Sequence, residues 1–245
     1  MSKIDTSHEA EASGTRTERD PRTFWRTALA VIAPIPFLAQ ATANLVAPDD
    51  TNAKTRDAVN AMIAHSGRAH ANLWLSTVFV MALLPAVLAL LIACRRRAPR
   101  LTTAVGILSL PGAAVAPIIG AATMFVLVAV DKHIDPAMIT TLSDGVWNQP
   151  GLVVLVLLFL IGVVLFGRIM FGVLLWRTRL TPRWMAVGVM VAAPLDVFGP
   201  SQLLVHNGLP AMSWILTGIA FFGVSLALLR TSNDDFDLRP IAPVR

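Results

Sequence analysis

Residues 71–97 read ANLWLSTVFVMALLPAVLALLIACRRR, an apolar run closed by three arginines, and this stretch sets the fold class. The run exceeds the roughly 20 residues that a helix needs to cross hydrocarbon. Helix is the economical form there, because an isolated strand in lipid leaves its backbone polar groups unpaired. Arg95, Arg96 and Arg97 mark the end of the run as cytoplasmic, since short cytoplasmic loops carry an excess of Lys and Arg.

Five further apolar runs stand at 27–47, 101–130, 151–176, 183–203 and 211–230. Over its 245 residues the chain is 55% apolar and 14% charged, which lies outside the range of soluble domains and leaves little for a soluble core. With the amino terminus inside, the inner segments hold fifteen Lys and Arg and the outer segments four: Lys54, Arg56, Arg68 and Lys132. Arg168 falls within a run. The pattern predicts an all-α polytopic membrane bundle of six transmembrane helices, with both termini cytoplasmic, in the plasma membrane.

Segment 1–26 is polar and lacks hydrophobic periodicity, so it is expected to be a disordered cytoplasmic tail. The transmembrane domain then covers 27–230, and 231–245 forms a second cytoplasmic tail. The first run is read as a retained helix and not a signal peptide. Ala41-Thr42-Ala43 resembles a cleavage site, but the charged leader is long and the apolar run continues to Ala47. The stretch from Asp57 to His65 carries apolar residues at helical spacing and predicts an interfacial helix or an extension of the second span.

The formal charge of +5 does not point to nucleic acid, because the arginines cluster between apolar runs and form no stripe with interleaved aromatics. The single cysteine, Cys94, rules out an intrachain disulfide and a cysteine-rich metal site. P-loop, zincin and Ser-His-Asp signatures are missing.

Asp196, within Ala-Pro-Leu-Asp-Val-Phe-Gly-Pro, is the leading candidate for chemistry. Counted from Trp184, it stands about 18 Å along the helix, slightly beyond mid-bilayer. An acid at a helix centre costs about 2.5–3.5 kcal/mol on insertion scales, so it should face protein or water. Pro194 and Gly199-Pro200 flank it and predict a broken fifth span. The carboxyl is expected to serve as a catalytic proton donor or as a proton or cation site; otherwise it marks the outer helix end. Arg168, about 12 Å above the inner edge, is expected to anchor at the interface, bind substrate, or pair with Asp196 across adjacent spans. Gln40 and Asn44 lie four residues apart on one helix face, where they pack helices or position substrate.

His65, His70, His133 and His206 fall in outer segments without ligand spacing, so no metal site is expected. Asn233-Asp-Asp-Phe-Asp237 matches the magnesium-diphosphate pattern of intramembrane prenyltransferases. Such enzymes need two facing acidic clusters, and one is present, so the segment is read as an acidic tail. No cofactor is expected.

The segments AHSGRAHANLWL (64–75) and LLWRTRLTPRW (174–184), with seventeen arginines to three lysines, resemble small uncharacterised multi-pass membrane proteins of actinobacteria. That resemblance implies the layout of residues 25–230 and no chemistry. In size, bundle layout and an isolated membrane acid the chain is also similar to small integral-membrane terpene cyclases, which protonate an isoprenoid olefin or epoxide; no motif residue carries over. The expectation is a protein acting on a lipophilic small molecule, as a proton-initiated isoprenoid cyclase with Asp196 as acid. A small proton- or cation-coupled transporter and a noncatalytic membrane partner are the alternatives. A homo-oligomer is compatible with each, and a homodimer would supply the second half that a six-span transporter lacks.

Overall fold

The structure, a computed structural model, describes residues 20–48, 54–198 and 208–236, and every regular element among them is helical. Proline punctuates these helices. Pro21, Pro99, Pro136 and Pro150 each stand in a first helical turn, where the missing N–H would have had no intrahelical partner.

The first apolar run forms two helices, α1 (Pro21–Ile32) and α2 (Ile35–Val46), joined through Ala33 and Pro34. Helix begins inside the segment expected to be a disordered tail, because Asp20 caps it by accepting a hydrogen bond from the Arg22 amide at 3.0 Å. The segment between the first and second runs supplies α3 (Thr55–Ala64), which ends at His65 before α4 (Ser66–Cys94). The third run is α5 (Pro99–Asp131), which continues through Pro111 and Pro117, and α6 (Pro136–Trp147) follows it. The fourth run comprises α7 (Pro150–Phe159), a π turn at Leu160–Val164, and α8 (Phe166–Thr178). Then come α9 (Arg183–Phe198), α10 (Gly208–Arg230) and a short α11 (Asn233–Phe236).

Five of these helical stretches are long and apolar enough to cross a membrane: 21–46, 66–94, 99–131, 150–178 and 208–230. Large apolar side chains point outward from them. Ile107 is 73% and Phe125 74% exposed, on a surface that lipid would cover and that soluble monomers rarely carry.

The long helices pack in chain order around a ring. α2 lies on α4, α4 on α5, α5 on α7 and α8, α8 on α9, and α9 on α10, while α10 returns to α2. Short connections make sequence neighbours spatial neighbours. The middle of the ring is filled by Phe37, Leu83, Leu90, Phe171, Leu174 and Phe221, all fully buried. At one crossing a Cβ on Gly112 would come within 2.8 Å of the Leu158 carbonyl, and one on Gly162 within 2.7 Å of the Leu108 carbonyl. Glycine at both positions lets α5 approach the fourth run at backbone contact.

Candidate functional site

The ring brings two of the four residues singled out by sequence together at mid-depth. Arg168, on α8, is fully buried, and its guanidinium is paired with the carboxylate of Asp196, on α9, which is 10% exposed. Its Nη1 donates to the Ser213 hydroxyl at 2.6 Å, and its Nε to the Val164 carbonyl at 2.6 Å, at the close of the π turn. Gly167 is part of this arrangement, since a Cβ there would run into the Gly162 carbonyl. A buried cation needs an opposite charge and further hydrogen bonds, and here three separate elements supply them.

The guanidinium also lies over the Trp214 ring, 4.1 Å from its centroid. Trp214 in turn stacks with Phe37 at 6.2 Å and meets Phe79 edge-on at 5.3 Å, and Phe37 reaches Phe221 at 4.2 Å. The aromatic core therefore presents a face to a cation, and the protein's own Arg168 occupies it.

Of the three expectations for Arg168, the structure shows the pairing with Asp196: the side chain turns inward and not to the interface, because tertiary partners outweigh snorkelling once the carboxylate is within reach. The helix around Asp196, expected to break, is unbroken at Pro194, running on to Phe198; Gly199-Pro200 lies outside the described residues. The irregular backbone lies across from it, in the π turn before Arg168.

Gln40 and Asn44 occupy a different place. The Gln40 amide donates to Asn44 Oδ1 at 3.1 Å, one turn apart on α2, and both line a cavity of about 600 Å³ at the end of the bundle opposite Arg95–Arg97. α3 and α6 help enclose it over α2, α4 and α5. Thr55 pins α3 to α6 by donating to Asp144 Oδ1 at 2.7 Å, and Asn72 of α4 donates to the Ala43 carbonyl at 2.7 Å. Its polar lining is Gln40, Asn44, Thr55, Asn72, Ser76, Thr123 and Ser143, beside Val59, Met62, Val126 and Trp147. Neither Arg168 nor Asp196 lines it, nor does any other charged residue among those described.

Asn72 stands at the opening of the second apolar run, but Ser76, Thr123 and Ser143 carry no signal that separates them from ordinary hydroxyls within helices. Ser213 and Trp214 were also silent. Among the four histidines weighed as ligands, His70 pairs with Asp131 at 3.1 Å, whereas His206 lies outside the described residues. Among the described residues no group of three His, Cys, Asp or Glu is placed to hold a metal.

The acidic tail is engaged at the arginine-rich end. Arg96 pairs with Asp235 and donates to the Asp234 carbonyl at 3.0 Å, Arg95 donates to the Phe236 carbonyl, and Arg22 pairs with Asp234 at 3.0 Å. Phe236 is 6% exposed and joins the core, so α11 is bound to the bundle and does not hang free. Asp237 lies outside the described residues.

Compared with protein families, with curated proteins and with solved structures, the chain finds no match.

Proposed function

We propose that this chain is a six-span plasma-membrane protein, with both termini cytoplasmic, that binds an uncharged amphiphilic small molecule at its outer end. The sixth crossing is supported by α9, a helix that fills the ring position between α8 and α10. The orientation is supported by the arginine excess at the opposite end.

The single observation that carries the binding reading is the cavity of about 600 Å³, lined by seven amide and hydroxyl side chains with no described charge among them. Such a lining recognises alcohols, amides or carbonyls by hydrogen bonds, and Met62, Val126 and Trp147 offer contact to an apolar body. A charged solute would meet no counter-ion among the described lining residues.

The geometry lends less support to acid catalysis by Asp196. Its carboxylate is committed to Arg168, it stands apart from the cavity, and the aromatic face that could steady a carbocation already holds a guanidinium. Recognition is therefore placed ahead of catalysis, and the Arg168–Asp196 pair is read as a fastening between helices.

Trp147 lines the cavity and provides the test. Purified protein is titrated with a panel of prenyl alcohols, neutral glycolipids and charged analogues while tryptophan emission is followed. An uncharged member of the panel should change the emission, Trp147→Phe should remove that change, and Asn44→Leu with Asn72→Leu should weaken binding. Tight binding that ignores those substitutions overturns the reading. A cyclised product formed by wild type and lost in Asp196→Asn would restore the enzymatic one.

A further inference from the structure

At the arginine-rich end, a groove of about 570 Å³ runs from three guanidinium groups onto an apolar floor. Its arginines come from three separate parts of the chain: Arg97 after α4, Arg179 after α8, and Arg230 at the end of α10. All three are exposed, and Arg97 is steadied by donating to the Thr178 carbonyl at 3.0 Å. Arg179 adopts a left-handed backbone (φ 53°), which turns the chain sharply between α8 and α9. The floor includes Phe222 and Leu226, 48% and 52% exposed on the face that lipid would cover.

Among the described residues no carboxylate lines this groove. The contrast with its neighbours is informative. Arg22 and Arg96, at the same end, are paired with Asp20, Asp234 and Asp235, whereas among the described residues none of these three arginines has a carboxylate at ion-pair distance; Asp235, which lines the adjoining pocket with Arg97 and Arg230, is taken by Arg96. A cluster of cations beside an apolar, lipid-facing channel is complementary to an anion that carries an acyl chain.

We infer that this groove is a binding site for the head group of an anionic phospholipid, with the phosphate held by Arg97, Arg179 and Arg230 and an acyl chain lying along Phe222 and Leu226. The site joins the turns after α4 and α8 to the end of α10, so the lipid would brace these segments against one another.

The test uses the full chain in a neutral detergent, titrated with dioctanoyl phosphatidylglycerol, dioctanoyl phosphatidylcholine or glycerol phosphate, with the thermal midpoint as readout. Phosphatidylglycerol should raise the midpoint, and phosphatidylcholine should not. Neutralising each arginine (Arg97→Gln, Arg179→Gln, Arg230→Gln) should weaken the apparent affinity about fivefold, and the triple variant on the order of a hundredfold. Arg100→Gln with Arg183→Gln should leave it unchanged. Equal responses to the two lipids in wild type overturn the proposal, and so does an equal response to glycerol phosphate, which would mark a free-phosphate site. Undiminished binding by a folded triple variant overturns it as well.

Discussion

Arg168 and Asp196 stand twenty-eight residues apart in the chain and meet in the middle of the bundle, with the guanidinium fully buried and the carboxylate nearly so. The pair fastens α8 to α9, and its remaining bonds reach α10 through Ser213 and Trp214. Removing one partner strands a buried charge, whereas removing both leaves a site that apolar side chains can fill. Asp196→Asn or Arg168→Met alone should cost about 3–5 kcal/mol, and Arg168→Met with Asp196→Leu should recover most of that loss. Unfolding midpoints of the purified variants in one detergent check this. Equal losses in single and double variants would assign the pair a role other than fastening.

The backbone contact at Gly112 and Gly162 makes a second prediction. The atoms that a new Cβ would strike are the carbonyls of Leu158 and Leu108, which cannot swing aside as a side chain can. Gly112→Ala or Gly162→Ala should therefore separate α5 from the fourth run and destabilise by about 1–3 kcal/mol. Gly145→Ala, where an added Cβ meets nothing within 4 Å, is the control expected to be silent in the same thermal assay.

Phe236 ties the carboxyl-terminal segment to the core. Replacing it with Ala should forfeit about 1.5–3 kcal/mol of burial and release α11. Limited trypsinolysis reads this directly, because Arg230 is exposed at the end of α10 and should be cut faster once α11 detaches. Cleavage at the wild-type rate would mean that the arginine contacts hold the segment unaided.

The amino-terminal cap is pH-sensitive with a defined sign. Hydrogen bonds from the Arg22 guanidinium, then from its amide and from Asn233, hold the Asp20 carboxyl down at about 2. Because the folded value is depressed, the contribution is complete above the ordinary carboxylate value near 4 and is lost as the pH falls through about 2. Wild type should thus exceed Asp20→Asn in thermal midpoint at pH 5, with the gap closing towards pH 2. A gap that is constant with pH would show that the charge of Asp20 is not its contribution.

The residues at the first helix show where reading along the chain stops. Pro21 and Asp20 form a helix start, yet the surrounding polarity read as tail, because the partners that hold this turn, Asn233 and Asp234, lie more than two hundred residues away. Likewise Gln40 and Asn44 were legible as a shared helix face, but the direction of that face was not.

By itself the sequence determined that the chain is helical and apolar enough to cross a bilayer repeatedly, because hydropathy, proline position and arginine clustering act locally and need no partner. It also marked Arg168 and Asp196 as charges requiring an answer. Only the tertiary structure decided that they answer each other, that Gln40 and Asn44 line a separate cavity, and that the acidic tail is clasped by Arg22 and Arg96. Those outcomes depend on which helix faces meet around the ring, and that is set by the joint packing of Phe37, Phe171, Phe221 and the close-approach glycines, not by any one segment.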